Sequence, residues 1–404
     1  MLSLCWKNIW RNKTRSLVII FAIVFGVIGG VGFSAFYNGM IYQRLDAAIG
    51  NEVSNIQIHN PHFLENKEIN DTIANMASIL PILQNNKQIK AFSYRIKTFS
   101  MVNSANSSNG LLLLGIDAEK EKKVTGIYQY VKQGHYLDSC KKNSILIGQK
   151  LAEKLKIKLR SKVVVTLQSS SGNIASAAFK VAGIYNTGNT SFDERMAYVK
   201  YDDLAEIVGF NPGMAHEIAI TVTDNKLTDT VTDKLKTKLA GYSVKSWKEI
   251  MPELGLMTDS GQYMLLIYMT IIFLALSFGI INTMLMAVLD RIREIGMLMA
   301  IGMNKLRVFI MITLETILLM FTGSFIGLIL SYILVEILKK TGIDLTAFAS
   351  GMADMGFSAI VYPFIEPNAY IQIVVLVIIT GILSSIIPAR KALRLNPSEA
   401  IRTQ

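Results

Sequence analysis

The sequence predicts an α+β membrane protein: four transmembrane helices, one before and three after a large mixed α/β domain outside the membrane. Three observations lead there. The apolar residues collect in four long runs, the stretch between the first and second run reads like a soluble domain, and the cations crowd into three short segments. The 404-residue chain is 51% hydrophobic and only 18% charged, and its mean hydropathy is +0.37. A soluble domain carries about a quarter charged residues, so the deficit points to a bilayer.

A hydrocarbon core of about 30 Å needs roughly 20 apolar residues in a helix. Leu17–Tyr37 supplies them without a charge, and Tyr263–Leu289 does so with length to spare. Val308–Leu338 carries one interruption, Glu315, and Tyr370–Ile387 is the shortest. The first run follows a basic segment, as a signal peptide would. Its length and the lack of an Ala-x-Ala-like site after it favour an uncleaved helix.

Orientation follows from Lys and Arg in the flanks. Lys7, Arg11, Lys13 and Arg15 precede span one. Arg291, Arg293, Lys305 and Arg307 lie between spans two and three, and Arg390, Lys391, Arg394 and Arg402 follow span four. These twelve cations face only Asp290, Glu294 and Glu399, so nine of the net +11 charges sit on three segments that four spans place on one side. That is the signature of cytoplasmic flanks. Both termini are expected in the cytoplasm, and no nucleic-acid partner is needed to explain the charge. Cys5 and Cys140 would then face opposite compartments and cannot pair.

The outer domain, 38–262, mixes short strands and helices. Alternation and β-branched residues predict strands at Asn55–His59, Phe92–Val102, Leu111–Ile116, Lys162–Gln168, Ala177–Tyr185 and Glu217–Val222. Helical spacing marks Gln149–Lys156, Asp202–Val208 and Lys226–Leu239. The Ser/Asn/Gly clusters Asn103–Gly110 and Asn186–Ser191 read as mobile loops or subdomain boundaries. His59, His62, His135 and His216 read as loop histidines without metal-ligand spacing. Ser169-Ser-Ser-Gly172 reads as a turn. No nucleophile, paired carboxylate or metal set stands out, and no metal site is expected. No Gly-x-x-x-x-Gly-Lys-[Ser/Thr] loop occurs, so this chain has no P-loop to cradle nucleotide phosphates. An enzyme is not expected.

The segment Asp290-Arg-Ile-Arg-Glu-Ile-Gly-Met-Leu-Met-Ala-Ile-Gly-Met303 places Ile292, Ile295, Met299 and Met303 at helical spacing. It predicts an amphipathic helix running on from span two, either lying on the membrane surface or docking a soluble partner. Arg293-Glu-Ile-Gly296 with Ala300-Ile-Gly302 resembles the corresponding stretch of ABC-transporter permeases of the MacB/FtsX superfamily. The start, Trp6-Lys-Asn-Ile-Trp-Arg-Asn-Lys-Thr-Arg-Ser16, resembles that family's N-terminal helix, and Pro388–Arg402 its C-terminal tail. Within the superfamily the outer domain looks most like the lipoprotein-releasing LolC/LolE-type permeases, through Gly115–Lys120, Ile147–Glu153 and Phe192–Arg195.

The resemblance implies nine segments. They are a cytoplasmic amphipathic start (1–16), span one (17–37), a periplasmic MacB-like domain (38–262), span two (263–289) and a coupling helix (290–307). Span three (308–338), an extracytoplasmic loop (339–369), span four (370–388) and a cytoplasmic tail (389–404) complete the chain. It implies two lobes in the outer domain, one βαβ-rich and one an inserted β-rich lobe at about 110–200. It implies an ABC ATPase subunit as a separate chain, which carries ATP and magnesium, so this chain binds no cofactor. A second permease chain, the same or a sister, is implied as well, with membrane lipid around it. The function it implies is release of lipoproteins by mechanotransmission, with a lipoprotein substrate and a periplasmic carrier. A MacB-like exporter of peptides or drugs, and an FtsX-like relay to a cell-wall hydrolase, remain open. Arg291, Arg293, Glu294, Ile295, Gly296, Met299, Ala300 and Gly302 are the expected ATPase-docking residues. Phe21, Val24, Phe25, Tyr268 and Phe273 are candidates for a substrate cavity, although plain lipid contact suits them too. Gly26, Gly29, Gly30 and Gly32, and the Gly323-x-x-x-Gly327 pair, mark close helix packing. Glu315, a carboxylate inside a span, is a candidate functional group.

Overall fold

A computed structural model describes residues 2–73, 75–105 and 107–393. The tail residues Arg394, Glu399 and Arg402, with most of the tail motif, lie outside the described residues. The chain divides into two compact units. One comprises Met1–Met40, Ser260–Ile343 and Val361–Gln404, and the other Ile41–Asp259 with Asp344–Ile360.

The first unit is helical. Helix α1 (Leu2–Arg11) precedes α2 (Lys13–Ala47), which carries span one. Helix α11 (Pro252–Asp290) carries span two, a short helix α12 (Ile292–Ala300) follows, and α13 (Lys305–Thr341) and α15 (Pro367–Leu393) carry spans three and four. Four helices are therefore long and apolar enough to cross a membrane. The helices extend past the apolar runs because hydropathy registers only the lipid-length part. Residues 252–262 carry Glu253, Thr258, Asp259, Ser260 and Gln262 yet are helical, and Pro252 sits at the first position, where its fixed φ suits a helix start.

Packing within this unit follows helical spacing. In α13 the buried positions Val308, Met311, Ile312, Glu315, Leu319, Gly323, Gly327 and Val335 form one stripe. It faces span one closely: a Cβ on Gly323 would stand 2.9 Å from Ile23 Cβ, and one on Gly327 would stand 3.0 Å from Val27 Cβ. The glycines of span one divide. A Cβ on Gly26 or Gly30 would strike Leu276 or Met269, whereas Gly29 and Gly32 face open space.

The second unit is built on one mixed sheet with two lobes. Its strands are β1 (Ile56–His59), β2 (Ile89–Asn103), β3 (Ser108–Ile116), β4 (Val131–Gly134) and β5 (Ser144–Gly148). They continue as β6 (Lys162–Gln168), β7 (Ile174–Tyr185), β8 (Met196–Lys200), β9 (Glu217–Val222) and β10 (Ser243–Ser246). Its helices are α3 (Phe63–Asn66), α4 (Met76–Gln84), α5 (Ala118–Val124), α6 (Gln149–Leu155), α7 (Thr190–Arg195), α8 (Tyr201–Val208), α9 (Thr228–Lys238), α10 (Trp247–Ile250) and α14 (Ala349–Asp354).

In the first lobe β10, β1, β9 and the start of β2 form an open antiparallel sheet. Ile56, Ile58, Ile79, Leu83, Ile218, Ile220, Val231 and Leu235 form its core. In the second lobe β2, β3, β8, β5 and β7 pair in turn, and β6 pairs with both β7 and β2, closing a six-stranded barrel. Closure leaves those strands with no free edge. Ile96, Leu113, Ile145, Ile147, Val163, Val165, Phe179 and Val199 belong to its core. The 15-residue β2 serves both lobes: one edge pairs with β9 at residues 89–95 and with β6 at 100–103.

Two expected loops are structured instead. In Asn103–Gly110, on either side of residue 106, the described residues belong to β2, β3 and the turn between them, with Asn103 opposite Ser108, and the Ser104 N–H donates to the Ser107 carbonyl (2.8 Å). Asn186–Ser191 leads into α7. The Asn189 side chain caps that helix by accepting from the Phe192 N–H, and the Thr187 hydroxyl donates to the Asp193 carboxylate (2.7 Å). In both, short polar side chains close tight turns. Strands β4, β5, β8 and β10 escape sequence reading because they are short and, unlike the equally short β1, where Ile56 and Ile58 alternate with Gln57 and His59, their residues show no clear alternation. Strand β5, buried along its whole length, shows no alternation at all.

Candidate functional site

The segment after span two is α12. The junction of α11 and α12 is held by side chains from three other helices of its own unit, α1, α2 and α13. Arg11 on α1 donates from one guanidinium nitrogen to both Glu294 oxygens (2.7 and 2.8 Å). Arg15 lies 3.5 Å from the Asp290 carboxylate. The Arg291 guanidinium donates to the Asn8 carbonyl (2.7 Å) and sits 3.4 Å from Glu315. Glu315 also accepts from the Asn8 side-chain amide (2.7 Å). Side chains of α1, α2, α13 and the α11–α12 junction thus converge on one polar knot. Charged groups taken from water need such saturation, because an unpaired buried carboxylate would cost several kcal/mol.

The expected docking residues divide into two sets. Ile295 and Gly296 are buried, Met299 packs on the helical core, and Arg291 and Glu294 are engaged by their own chain. Arg293, Ala300 and Gly302 are exposed. The Ile292/Ile295/Met299 face predicted by helical spacing is therefore real, but it packs inward. A second apolar edge points out, formed by Met297, Ile301 and, on the next helix, Leu306. Ile301 is 85% exposed. This edge was legible as the i, i+4 pair Met297/Ile301, a pattern hidden in a stretch apolar on nearly every side. Gly302 ends the helix with φ +104°, a backbone conformation that favours glycine. Asn304 then caps α13 by accepting from the Leu306 N–H (3.2 Å). A cavity of about 350 Å³ lies beside this knot, lined by Met284, Val288, Leu298, Ile301, Met311 and Glu315.

The expected substrate cavity does not assemble as a unit. Phe21, Phe25 and Tyr268 are exposed, and Tyr268 rests against Phe33 at 4.9 Å between ring centroids. Val24 and Phe273 are buried in the core of the helical unit, where they pack against neighbouring spans. Hydropathy cannot separate these two sets, because the inward and the lipid-facing sides of a span are equally apolar.

The outer domain holds a buried ionic cluster that sequence reading missed. Arg95 on β2 is 1% exposed. It donates to Glu121 on α5 (2.7 and 3.2 Å) and to Glu217 on β9 (2.7 Å). Lys97 holds the other Glu217 oxygen. Burial works against the Glu217 carboxylate, but Lys97 and Arg95 outweigh it and hold the group down to about 2. His59 and His216, expected in loops, are instead fully buried and flank Phe63 in a stack, with centroids 5.4 and 4.8 Å apart. The Lys97 N–H donates to His216 Nδ1, so Nε2 donates to the Ile69 carbonyl (2.8 Å). Burial pushes both imidazoles down to about 4, so they stay neutral. Every member of this cluster is saturated by its neighbours. Among the described residues no group of three His, Cys, Asp or Glu could hold a metal ion.

Four membrane-length helices, an α/β domain and a short helix braced between spans are the parts of which a membrane permease subunit is built. Residues 16–238 match the MacB-like periplasmic core domain family, and 266–397 match the FtsX-like permease C-terminal family. The lipoprotein-releasing system transmembrane protein LolC of Buchnera aphidicola is 23% identical over 317 residues, 73% of this chain and 78% of that protein. The macrolide export ATP-binding/permease protein MacB of Escherichia coli is 32% identical over 123 residues, 30% of this chain and 16% of that protein. The periplasmic region of MacB from Actinobacillus actinomycetemcomitans aligns with a TM-score of 0.35 at 14% identity, covering 53% of this chain and 98% of that structure. The chain belongs to the MacB/FtsX superfamily of ABC-transporter permeases and is LolC-like within it.

Proposed function

We propose that this permease passes force from a separate ABC ATPase to its outer domain, and that the work done is release of lipoproteins from a bacterial inner membrane. The observation that carries the reading is the braced helix α12. Its outward edge, Met297, Ile301 and, on the next helix, Leu306, offers an apolar contact that none of the described residues covers. Its base is tied to α1 by Arg11–Glu294 and to α13 by Arg291–Glu315. A push on that edge would move three helices together rather than bend one. Helix α11 runs unbroken for 39 residues up to Asp290, just before α12, which makes it a stiff lever. Arg293, Ala300 and Gly302 would share the docking surface. Arg291, Glu294, Ile295, Gly296 and Met299 would set its position.

The flanking cations support cytoplasmic termini. ATP and magnesium would then stay on the ATPase. The exposed apolar faces of spans one and two, with Phe21, Phe25 and Tyr268, suit lipid, acyl chains or a second permease chain, the same or a sister. The lipoprotein reading rests on the LolC relatives, which match along most of the chain. The MacB exporter match covers a shorter stretch.

The test is reconstitution of the permease with its ATPase in vesicles carrying a labelled lipoprotein and a soluble periplasmic carrier. ATP-dependent transfer of the lipoprotein to the carrier is expected. Export of peptides or macrolides without transfer would favour the exporter reading. Capture of a cell-wall hydrolase with neither activity would favour the relay. In the same assay Ile301→Asp should abolish ATPase co-purification. Glu294→Ala should keep the ATPase bound yet lower transport per ATP hydrolysed. Normal coupling in Glu294→Ala would remove the brace from the mechanism.

A further inference from the structure

The helical unit carries a second concave surface, which shares no lining residue with the cavity beside α12. Between the far ends of spans three and four lies a groove of about 550 Å³, with Leu328, Tyr332, Val335, Phe364 and Tyr370 in its lining. The segment entering span four creates it. The Phe364 N–H donates to the Ala35 carbonyl of span one (2.9 Å). Gly39 lets the chain pass, since a Cβ there would lie 2.3 Å from the Tyr362 carbonyl oxygen. Span four then starts at Pro367, leaving a wedge against α13.

The rim of this groove is charged. Glu336 and Lys339 lie one turn apart on α13 with 3.7 Å between their charged atoms, both about half exposed. Both also line the groove. They stand at the end of span three opposite α12, where a bilayer places its headgroups. Tyrosine and lysine are the residues that anchor at that depth. The volume lies in the range of sites that bury a small molecule, and the floor is apolar. A ligand here needs hydrocarbon below and, above it, an anion beside a cation.

We propose that this groove is a binding site for a single aminophospholipid, a two-chain lipid whose headgroup joins a phosphate to a primary ammonium. The acyl chains fill the wedge, Lys339 donates to the phosphate, and the ammonium donates to Glu336. A phosphatidylglycerol offers the phosphate to Lys339 but has no ammonium to donate to Glu336. A phosphatidylcholine has no N–H to donate.

Native mass spectrometry of the purified full chain tests this, with equal amounts of phosphatidylethanolamine, phosphatidylglycerol and phosphatidylcholine added. Phosphatidylethanolamine should be retained about tenfold over the others, the worth of one charge-assisted hydrogen bond. Glu336→Lys should reverse the ranking in favour of phosphatidylglycerol. Leu328→Trp, which fills the groove, should lose the retained lipid, while Ile333→Trp on the exposed side of the same helix should keep it. Equal retention of the three lipids by the unmodified chain would overturn the proposal. So would an unchanged ranking in Glu336→Lys, or equal loss in the two tryptophan variants.

Discussion

At the scale of single residues, Arg95 carries the most consequence. It joins the β9 side of the open sheet to α5 through two buried carboxylates, and both depend on its charge. Arg95→Met should cost about 3–5 kcal/mol, because it strands buried charges rather than merely deleting a contact. Chemical denaturation of the outer domain within the full chain would measure it. Adding Glu121→Gln should restore part of the loss, and no recovery would mean that packing, not charge, sets the value.

The two histidines beside this cluster make the same domain acid-sensitive. Their folded values near 4 lie below the unfolded value of 6.5, so the unfolded chain binds protons first. Stability is full above about pH 6.5 and falls as pH drops toward 4. Glu217, held near 2 against an ordinary 4.5, adds a loss of the same sign below about pH 4.5. Hydrogen exchange in β1 and β9 should accelerate between pH 6.5 and 4. His216→Gln, which keeps polar atoms for the Lys97 N–H and the Ile69 carbonyl, should flatten the upper part of that decline.

At the scale of elements, helix contacts in the membrane depend on absent side chains. Gly323 and Gly327 let α13 lie directly on Ile23 and Val27 of span one. Backbones meet closely there because dispersion, not hydrophobic exclusion, holds helices together in lipid. Gly327→Leu should separate the pair and lower the yield of folded chain. Gly29→Leu, whose Cβ meets nothing within 4 Å, should leave this fold intact. If both variants behaved alike, the α2–α13 contact would not be the one that matters. Helix α12 shows the complementary case. Its identity as an amphipathic helix was readable from spacing, but which face met the protein was not. Ile295 and Met299 turned inward only because α1 and α13 offered a surface to cover them.

At the scale of the whole molecule, the charge distribution predicts topology. Lys and Arg flank the α12 ends of the spans, so Leu306→Cys should react with a maleimide only after the membrane is permeabilised. A cysteine at Asn173, in the exposed β6–β7 turn, should react from outside in intact cells. Labelling of both from the same side would overturn the orientation on which the force-transmission proposal depends.

Legibility followed the range of the interactions. The four spans, the one-plus-three order and the strands β1, β2, β3, β6, β7 and β9 were readable, because each is specified by a local run that shows its period. The family was readable in Arg293–Gly302, a short motif whose residues lie along one stretch. The barrel was not, since its closure depends on β6 reaching both β2 and β7 across the chain. Nor was the partnership of Asn8, Arg291 and Glu315, whose members lie up to 307 residues apart. The sequence by itself determined which segments are long and apolar enough to cross a membrane, that the cations collect in three of their flanks, and that a mixed α/β domain follows span one. Only the tertiary structure decided that Val24 and Phe273 are core while Phe21 and Phe25 are surface, that two histidines are buried, and that Glu294 answers to Arg11. The physical reason is one of range. Hydropathy and periodicity are summed along neighbouring residues, whereas burial and ion pairing depend on which distant segment arrives to cover each face.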